Sequence, residues 1–355
     1  MNIITIIGAR PQFIKAVMVS RAIERHNKQY PSQAITERLL HTGQHYDDEM
    51  SAIFFRQLQI PTPTWNLNCT LPESMTEKII TILRQERPDQ VLVYGDTNST
   101  LAGALAAHQL NIPLIHIEAG LRSYNQEMPE EKNRIIADQL SSILFCPTPK
   151  AIDNLRKEGI IHGVFWVGDV MFDAAKALST SCDILQRLCI HKPFYLLTIH
   201  RAENTNHIER LMSILQALQS VSTPIIWPMH PRTRKTISEN KSLQELLFEC
   251  RSIRVIDSQG YLEMATLEKE ASLILTDSGG VQKEAYFHKT PCLTLREETE
   301  WQETIIAGSN LLVGTDSNRI LEGIQNPPDS FMPISDFGDG HAAEKIVQII
   351  ANNNL

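Results

Sequence analysis

The chain has 355 residues, 42% of them hydrophobic and 21% charged, with a formal net charge of −8. That length suits two domains of roughly 150–200 residues, each able to bury a core without disulfides or metals. The acidic balance argues against a nucleic-acid coat or a membrane-surface protein, and no run approaches the roughly 18–20 apolar residues that span a bilayer.

The chain opens on an apolar run, Ile3–Ile7, with no basic segment before it. It leads straight into Gly8-Ala9-Arg10-Pro11, so it reads as a first strand and turn rather than a signal peptide. A helix-period stretch follows from about Phe13 to Arg25. Further strands are predicted at Arg38–His41, Gln90–Tyr94, Pro113–Ile117, Ile143–Cys146 and Val164–Val167, with helical patterns between them. After Lys192-Pro193 the rhythm restarts with Tyr195–Ile199, Pro224–Pro228, Ile253–Ile256, Ser272–Leu275, Pro291–Leu295 and Leu311–Val313. Short apolar runs without alternation suit strands covered on both faces, hence parallel sheets with crossover helices. The fold class is therefore α/β, with two Rossmann-like domains whose parallel sheets face a central cleft. The boundary falls near residues 175–193.

Doubly wound sheets bind ligands beyond the carboxyl ends of their strands. Here each such end carries a polar or glycine-rich cluster. In the first half these are Gly8-Ala9-Arg10, Thr42-Gly43-Gln44-His45, Gly95-Asp96-Thr97-Asn98 and Glu118-Ala119-Gly120. In the second they are His200-Arg201-Ala202-Glu203, Met229-His230-Pro231-Arg232 and Asp277-Ser278-Gly279-Gly280.

The Ser278-Gly279-Gly280 turn opens a helix, where bare backbone N–H groups and the helix dipole favour a phosphate. Ser278 also suits a plain N-cap. Glu284, about one turn later, can accept from ribose hydroxyls. Arg10 and Lys15 can reach the same anion, or remain solvated cations of a structural turn. Asp96, Glu118, Glu130 and Glu131 are the acid–base candidates. The last two begin a helix, where carboxylates are favoured in any case. His200 and His230 follow neighbouring strands and can assist a departing phosphate. The glycine pattern is not GxGxxG, so no nicotinamide cofactor is indicated. The six cysteines show no CxxC pairing, and no metal site is indicated; reduced thiols of a cytoplasmic protein are the expectation.

Together GARPQFIK (Gly8–Lys15), HTGQHYD (His41–Asp47), GDTNST (Gly95–Thr100), HIEAGLRS (His116–Ser123), MPEEKNR (Met128–Arg134), HRAEN (His200–Asn204) and TDSGGVQKEA (Thr276–Ala285) resemble the non-hydrolysing UDP-N-acetylglucosamine 2-epimerase family. The match runs in order through nearly the whole chain. It implies a glycosyltransferase-B-type fold, with residues 1–175 and a returning helix at 340–355 as the carboxylate domain and 190–339 as the UDP-binding domain. GARPQF and TEWQE (Thr299–Glu303) are most similar to the branch acting on UDP-2,3-diacetamido-2,3-dideoxy-glucuronate; UDP-N-acetylglucosamine is the alternative substrate. A hydrolysing 2-epimerase and a UDP-sugar glycosyltransferase are the remaining alternatives.

The resemblance assigns proton transfer to Asp96, Glu118 and Glu130, and leaving-group assistance to His200. UDP binding falls to Arg10, Lys15, His230, Ser278, Gly279, Gly280 and Glu284. Gln44, His45, Arg122 and Arg201 are candidates for sugar or second-site contacts. No cofactor and no metal is implied. The implied protein is a cytoplasmic homodimer that takes a UDP-sugar, not nucleic acid or membrane, in surface polysaccharide (lipopolysaccharide) synthesis.

Overall fold

A computed structural model describes residues 1–43, 60–69, 71–125, 127–178 and 182–352, with Arg10 described by its backbone alone. The chain divides into two compact units, Met1–Lys176 with Ser335–Leu355, and Ala177–Ile334.

The first unit carries β1 (Asn2–Ile7), β2 (Thr36–His41), β3 (Trp65–Asn66), β4 (Gln90–Tyr94), β5 (Leu114–Ile117), β6 (Ile143–Cys146) and β7 (Val164–Trp166). They form one seven-stranded sheet in the order β3-β2-β1-β4-β5-β6-β7. Every pair is parallel. The second unit holds β8 (Tyr195–Thr198), β9 (Ile225–Met229), β10 (Ile253–Asp257), β11 (Leu273–Thr276), β12 (Cys292–Thr294) and β13 (Asn310–Leu312). Its six-stranded order is β10-β9-β8-β11-β12-β13, again all parallel.

The central strands β4, β5, β6, β9 and β11 are buried at every residue, which is why their sequences are apolar without alternation. The edge strand β10 has no fully buried residue. β3 has no apolar run of its own to mark it in the sequence. It is two residues recruited by register alone, Leu40 opposite Trp65 and His41 opposite Asn66.

In each sheet the strand order reverses at one place, between β1 and β4 in the first unit and between β8 and β11 in the second. A crevice opens at such a reversal, because the flanking loops depart in opposite directions. The first reversal is flanked by Gly8-Ala9-Arg10 and Gly95-Asp96, the second by His200-Arg201 and Asp277-Ser278-Gly279.

The helix Asn98–Gln109 starts directly after Asp96-Thr97 and is alanine-rich because it is enclosed; Ala102, Gly103, Ala104, Ala106 and Ala107 are all buried. A Cβ on Gly103 would come within 2.9 Å of Ile6 Cδ1 and Val93 Cγ1, so this helix lies directly on the sheet. The last helix, Ala342–Asn352, buries Ala342, Ala343, Ile346, Val347 and Ile350 in the first unit. Its first N–H groups would otherwise lack partners. Asp173 accepts them, from Ala342 at 3.0 Å and from Ala343 at 2.8 Å.

In the second unit Glu268 is 1% exposed. Burial, and then the nearby Glu284, push its carboxyl well above the usual glutamate range. The folded state thus favours the protonated form, so Glu268 contributes stability below the ordinary glutamate pKa and loses it as pH rises through the raised value. Glu268→Gln keeps a neutral side chain. Its melting temperature relative to wild type is expected to climb as pH rises above the ordinary glutamate range. A pH-independent difference in thermal scans would remove Glu268 from the pH response.

Candidate active site

In the first unit the polar edge is built around Gly95, which follows β4 with φ +61. A Cβ there would stand 3.0 Å from Glu118 Oε2 and 3.7 Å from Lys15 Nζ. Lys15, on the first helix, pairs directly with Glu118; their side chains are 6% and 13% exposed. Breaking a pair this buried by removing one partner costs about 3–5 kcal/mol. Glu118 itself has φ +71. A non-glycine residue in this region costs roughly 1–2 kcal/mol and persists only where its surroundings fix it. Its N–H and that of Ala119 both donate to the Phe145 carbonyl, each at 3.0 Å.

Asp96 is one-third exposed and pairs with Arg134. Asn133, one residue earlier on the Pro129–Leu140 helix, donates to the Asp96 carbonyl at 3.0 Å. Gln12 ties this loop to the first one. Its Oε1 accepts from Gly8 and Ala9 N–H at 2.7 and 3.0 Å, and its Nε2 donates to the Tyr94 carbonyl at 2.9 Å.

The Glu130-Glu131 pair divides cleanly. Glu131 is buried and accepts from Ser123 N and Oγ and from Tyr124 N, besides pairing with Arg134. It shapes the 123–124 turn. Glu130 is half-buried in the first helical turn and makes no ion pair among the described residues. The Arg122 side chain is only 1% exposed. It grips Glu158 with two bonds of 2.7 Å, meets Asp138 at 2.7 Å and donates to the Leu121 carbonyl at 2.6 Å. Burial opposes its charge, but Glu158 and Asp138 outweigh this and hold the guanidinium above the usual arginine range. Gln44, His45 and the side chain of Arg10 lie outside the described residues.

The second unit has its own edge at the β8/β11 reversal. Ser278 caps the Gly279–His288 helix by accepting from Val281 N at 3.4 Å, and Gly279 and Gly280 are its first two residues. Among the described residues a Cβ on Gly280 would meet only Ser278 Oγ, at 3.8 Å, so they leave space open beside Gly280. Asp277, wholly buried, accepts from His200 N and Arg201 N at 3.0 Å and from Asn204 Nδ2 at 3.1 Å. Its Oδ1 also lies 3.4 Å from His200 Nδ1. Asp277 therefore aligns the loop after β8 with the glycine turn after β11, a role its place in the motif did not reveal. The His230 ring stands 5.6 Å from that of His200. Its Nδ1 accepts from Arg232 N at 3.2 Å, so His230 also caps its own helix.

Beside the glycine turn, a Cβ on Gly279 would lie 3.5 Å from Trp301 Nε1 and 3.6 Å from both Arg201 Nη2 and Glu300 Oε2. Glu300 is bound by Arg296 at 2.9 Å and approached by Arg201 at 3.9 Å. Burial opposes ionisation of Glu300, but Arg296 and Arg201 prevail and keep it below the usual glutamate range. Lys283 places its ammonium 3.8 Å from the Trp301 ring centroid, a cation–π geometry. Glu284 is buried on the same helix. Among the described residues no His, Cys, Asp and Glu side chains group as a metal site, and no helix is long and apolar enough to cross a membrane.

One unit thus carries a glycine-rich helix end beside a histidine, and the other carboxylates with a buried cation. The family profile described as UDP-N-acetylglucosamine 2-epimerase matches residues 28–351. A Methanococcus maripaludis protein named UDP-N-acetylglucosamine 2-epimerase homolog is 50% identical, over 99% of this chain and 100% of its own. The UDP-2,3-diacetamido-2,3-dideoxy-D-glucuronate 2-epimerase of Pseudomonas aeruginosa is 46% identical over 99% of each chain. The crystal structure of the Methanocaldococcus jannaschii UDP-GlcNAc 2-epimerase with UDP-GlcNAc and UDP superposes with a TM-score of 0.90 at 39% identity, covering 99% of this chain and 100% of that one. The chain thus belongs to the UDP-N-acetylglucosamine 2-epimerase family.

Proposed function

We propose that this isomerase is a non-hydrolysing 2-epimerase of a UDP-N-acetylamino sugar. The observation that carries the reading is the placing of two different chemistries at the two strand-order reversals. The Ser278-Gly279-Gly280 helix end beside His200 suits a diphosphate, and Lys15, Asp96 and Glu118 gather around Gly95. Binding UDP needs none of those carboxylates. Moving protons at a sugar carbon does.

The C2–H of the sugar is not next to a carbonyl, so its removal needs another electron sink. Departure of UDP supplies one. A carboxylate takes the C2 proton, the C2–H electrons form the C1=C2 double bond of a 2-acetamidoglycal, and the C1–O bond breaks with its electrons on the diphosphate. A proton delivered to the opposite face of C2 and return of the UDP oxygen to C1 complete the inversion. Asp96, Glu118 and Glu130 serve the two faces. His200, aligned by Asp277, and the helix end at Ser278–Gly280 stabilise the departing charge. Lys15 and Arg10 add cations, His230 stands with His200, and Glu284 takes the ribose.

The favoured substrate is UDP-2,3-diacetamido-2,3-dideoxy-glucuronate, converted from gluco to manno. The relative at 46% identity and TEWQE, whose Trp301 is set beside the glycine turn, support that branch. The setting is a cytoplasmic homodimer in surface polysaccharide assembly. The test is NMR in deuterated water of the protein with this nucleotide sugar and, separately, with UDP-N-acetylglucosamine. The expected product is the manno epimer of the diacetamido-uronate, labelled at C2. Free sugar with UDP, or epimer without label, would overturn the mechanism, and turnover of UDP-N-acetylglucosamine alone would overturn the substrate.

A further inference from the structure

Behind the carboxylates of the first unit lies a buried cluster that touches neither reacting atoms nor solvent. His116, on β5, is 0% exposed, and Asp138, on the Pro129–Leu140 helix, 1%. His116 Nε2 lies 2.8 Å from the Gly95 carbonyl, which can only accept, so this nitrogen carries a proton and donates it. Its Nδ1 shares a hydrogen bond of 2.7 Å with Asp138. The same carboxylate accepts from Gly120 N at 3.1 Å and meets Arg122 at 2.7 Å. Asn154 holds the other side of Gly120 by donating to its carbonyl at 3.0 Å.

Gly95 immediately precedes Asp96, and Gly120 comes two residues after Glu118, whose own backbone sits at φ +71. One carboxylate therefore reaches both loops, through His116 to the first and directly to the second. We infer that His116 and Asp138 are positioning residues that set Asp96 and Glu118 in mutual register for proton transfer at the two faces of C2. The inference rests on the acid–base reading of those two carboxylates. Separate anchors would let the two loops drift apart, and misplacement by about 1 Å can cost about 10²-fold in rate.

The two ring nitrogens can be tested separately. In His116→Gln the amide nitrogen reaches the place of Nε2 and retains the donor to Gly95; in His116→Asn it reaches the place of Nδ1 and keeps only the Asp138 side. The expected result is a kcat lower by about 10²-fold in H116N and Asp138→Asn, a smaller loss in H116Q, and UDP dissociation constants within about twofold of wild type in all three. Circular dichroism and the UDP titration establish the folded fraction, and D138N stands in for H116N should the latter not fold. Wild-type kcat in H116N and D138N, equal losses in H116N and H116Q, or a kcat loss that merely follows the unfolded fraction would overturn the inference. Asp96→Asn and Glu118→Gln separate the two failures. If these are crippled while the His116 variants are normal, only the positioning role falls; if they turn over normally, the acid–base reading falls first.

Discussion

Asp96→Asn and Glu118→Gln are each expected to lower kcat by at least about 10²-fold, the usual contribution of a positioned acid or base. Both substitutions are nearly isosteric, and both leave an oxygen for the existing partner, Arg134 for Asp96 and Lys15 for Glu118. Asp96→Asn removes the capacity to take or give a proton and little else, because Arg134 keeps Glu131. Glu118→Gln also leaves the buried Lys15 ammonium without its counter-charge, so circular dichroism of that variant accompanies the turnover measurement. UDP affinity is expected to hold within a few-fold, because the diphosphate is assigned to the helix end at Ser278–Gly280 in the other unit. Steady-state turnover together with a UDP titration checks both halves. Turnover near wild type in the two variants would exclude these carboxylates from the chemistry.

The second large effect concerns Gly280→Asp. Among the described residues a Cβ at this position meets only Ser278 Oγ, at 3.8 Å, so a side chain can leave the backbone here without a clash. A carboxylate in the first turn of a helix is favoured by the dipole, by about 0.3–1 kcal/mol. Thermal stability is therefore expected to hold or rise. A diphosphate bound at the same N–H groups would face a like charge roughly 4 Å away, worth about 4 kcal/mol at an effective dielectric constant near 20. The expected result is a weakening of UDP binding by at least about 10²-fold, with Gly280→Ala close to wild type. Stability and affinity moving in opposite directions is the signature. Calorimetric titration showing wild-type UDP affinity in G280D would remove this helix end as the phosphate site.

Much of this was legible in the sequence because the strongest signals are local. β4, β6 and β11 are built on short apolar runs and β1 is broken only by Thr5 within Ile3–Ile7, and the clusters after them are contiguous residues. What escaped are links between residues far apart in the chain. Gln12 reads as one polar residue in GARPQF, yet its partner Thr100 lies 88 positions away, with a bond of 3.0 Å. Asp277 was visible in its motif, but its hold on His200 depends on β8 and β11 being neighbours, which periodicity cannot give. For Glu130 and Glu131 the sequence left the choice open, since dipole and chemistry both favour acidic residues there. Burial of Glu131 under the 123–124 turn assigns it to structure. Arg122 is a candidate sugar or second-site contact by family resemblance alone. In the fold its side chain is held by two acidic partners distant in sequence, Asp138 and Glu158.

The Asp173 carboxylate that caps the Ala342–Asn352 helix has a consequence for biosynthesis. Domains generally fold in order as the chain leaves the ribosome. Here the opening 176 residues emerge with that buried acid unanswered and an apolar groove uncovered, and they wait until all of Ala177–Ile334 has been translated. A nascent chain stalled before residue 342 would therefore be a target for chaperones, even with most of its sheets already assembled.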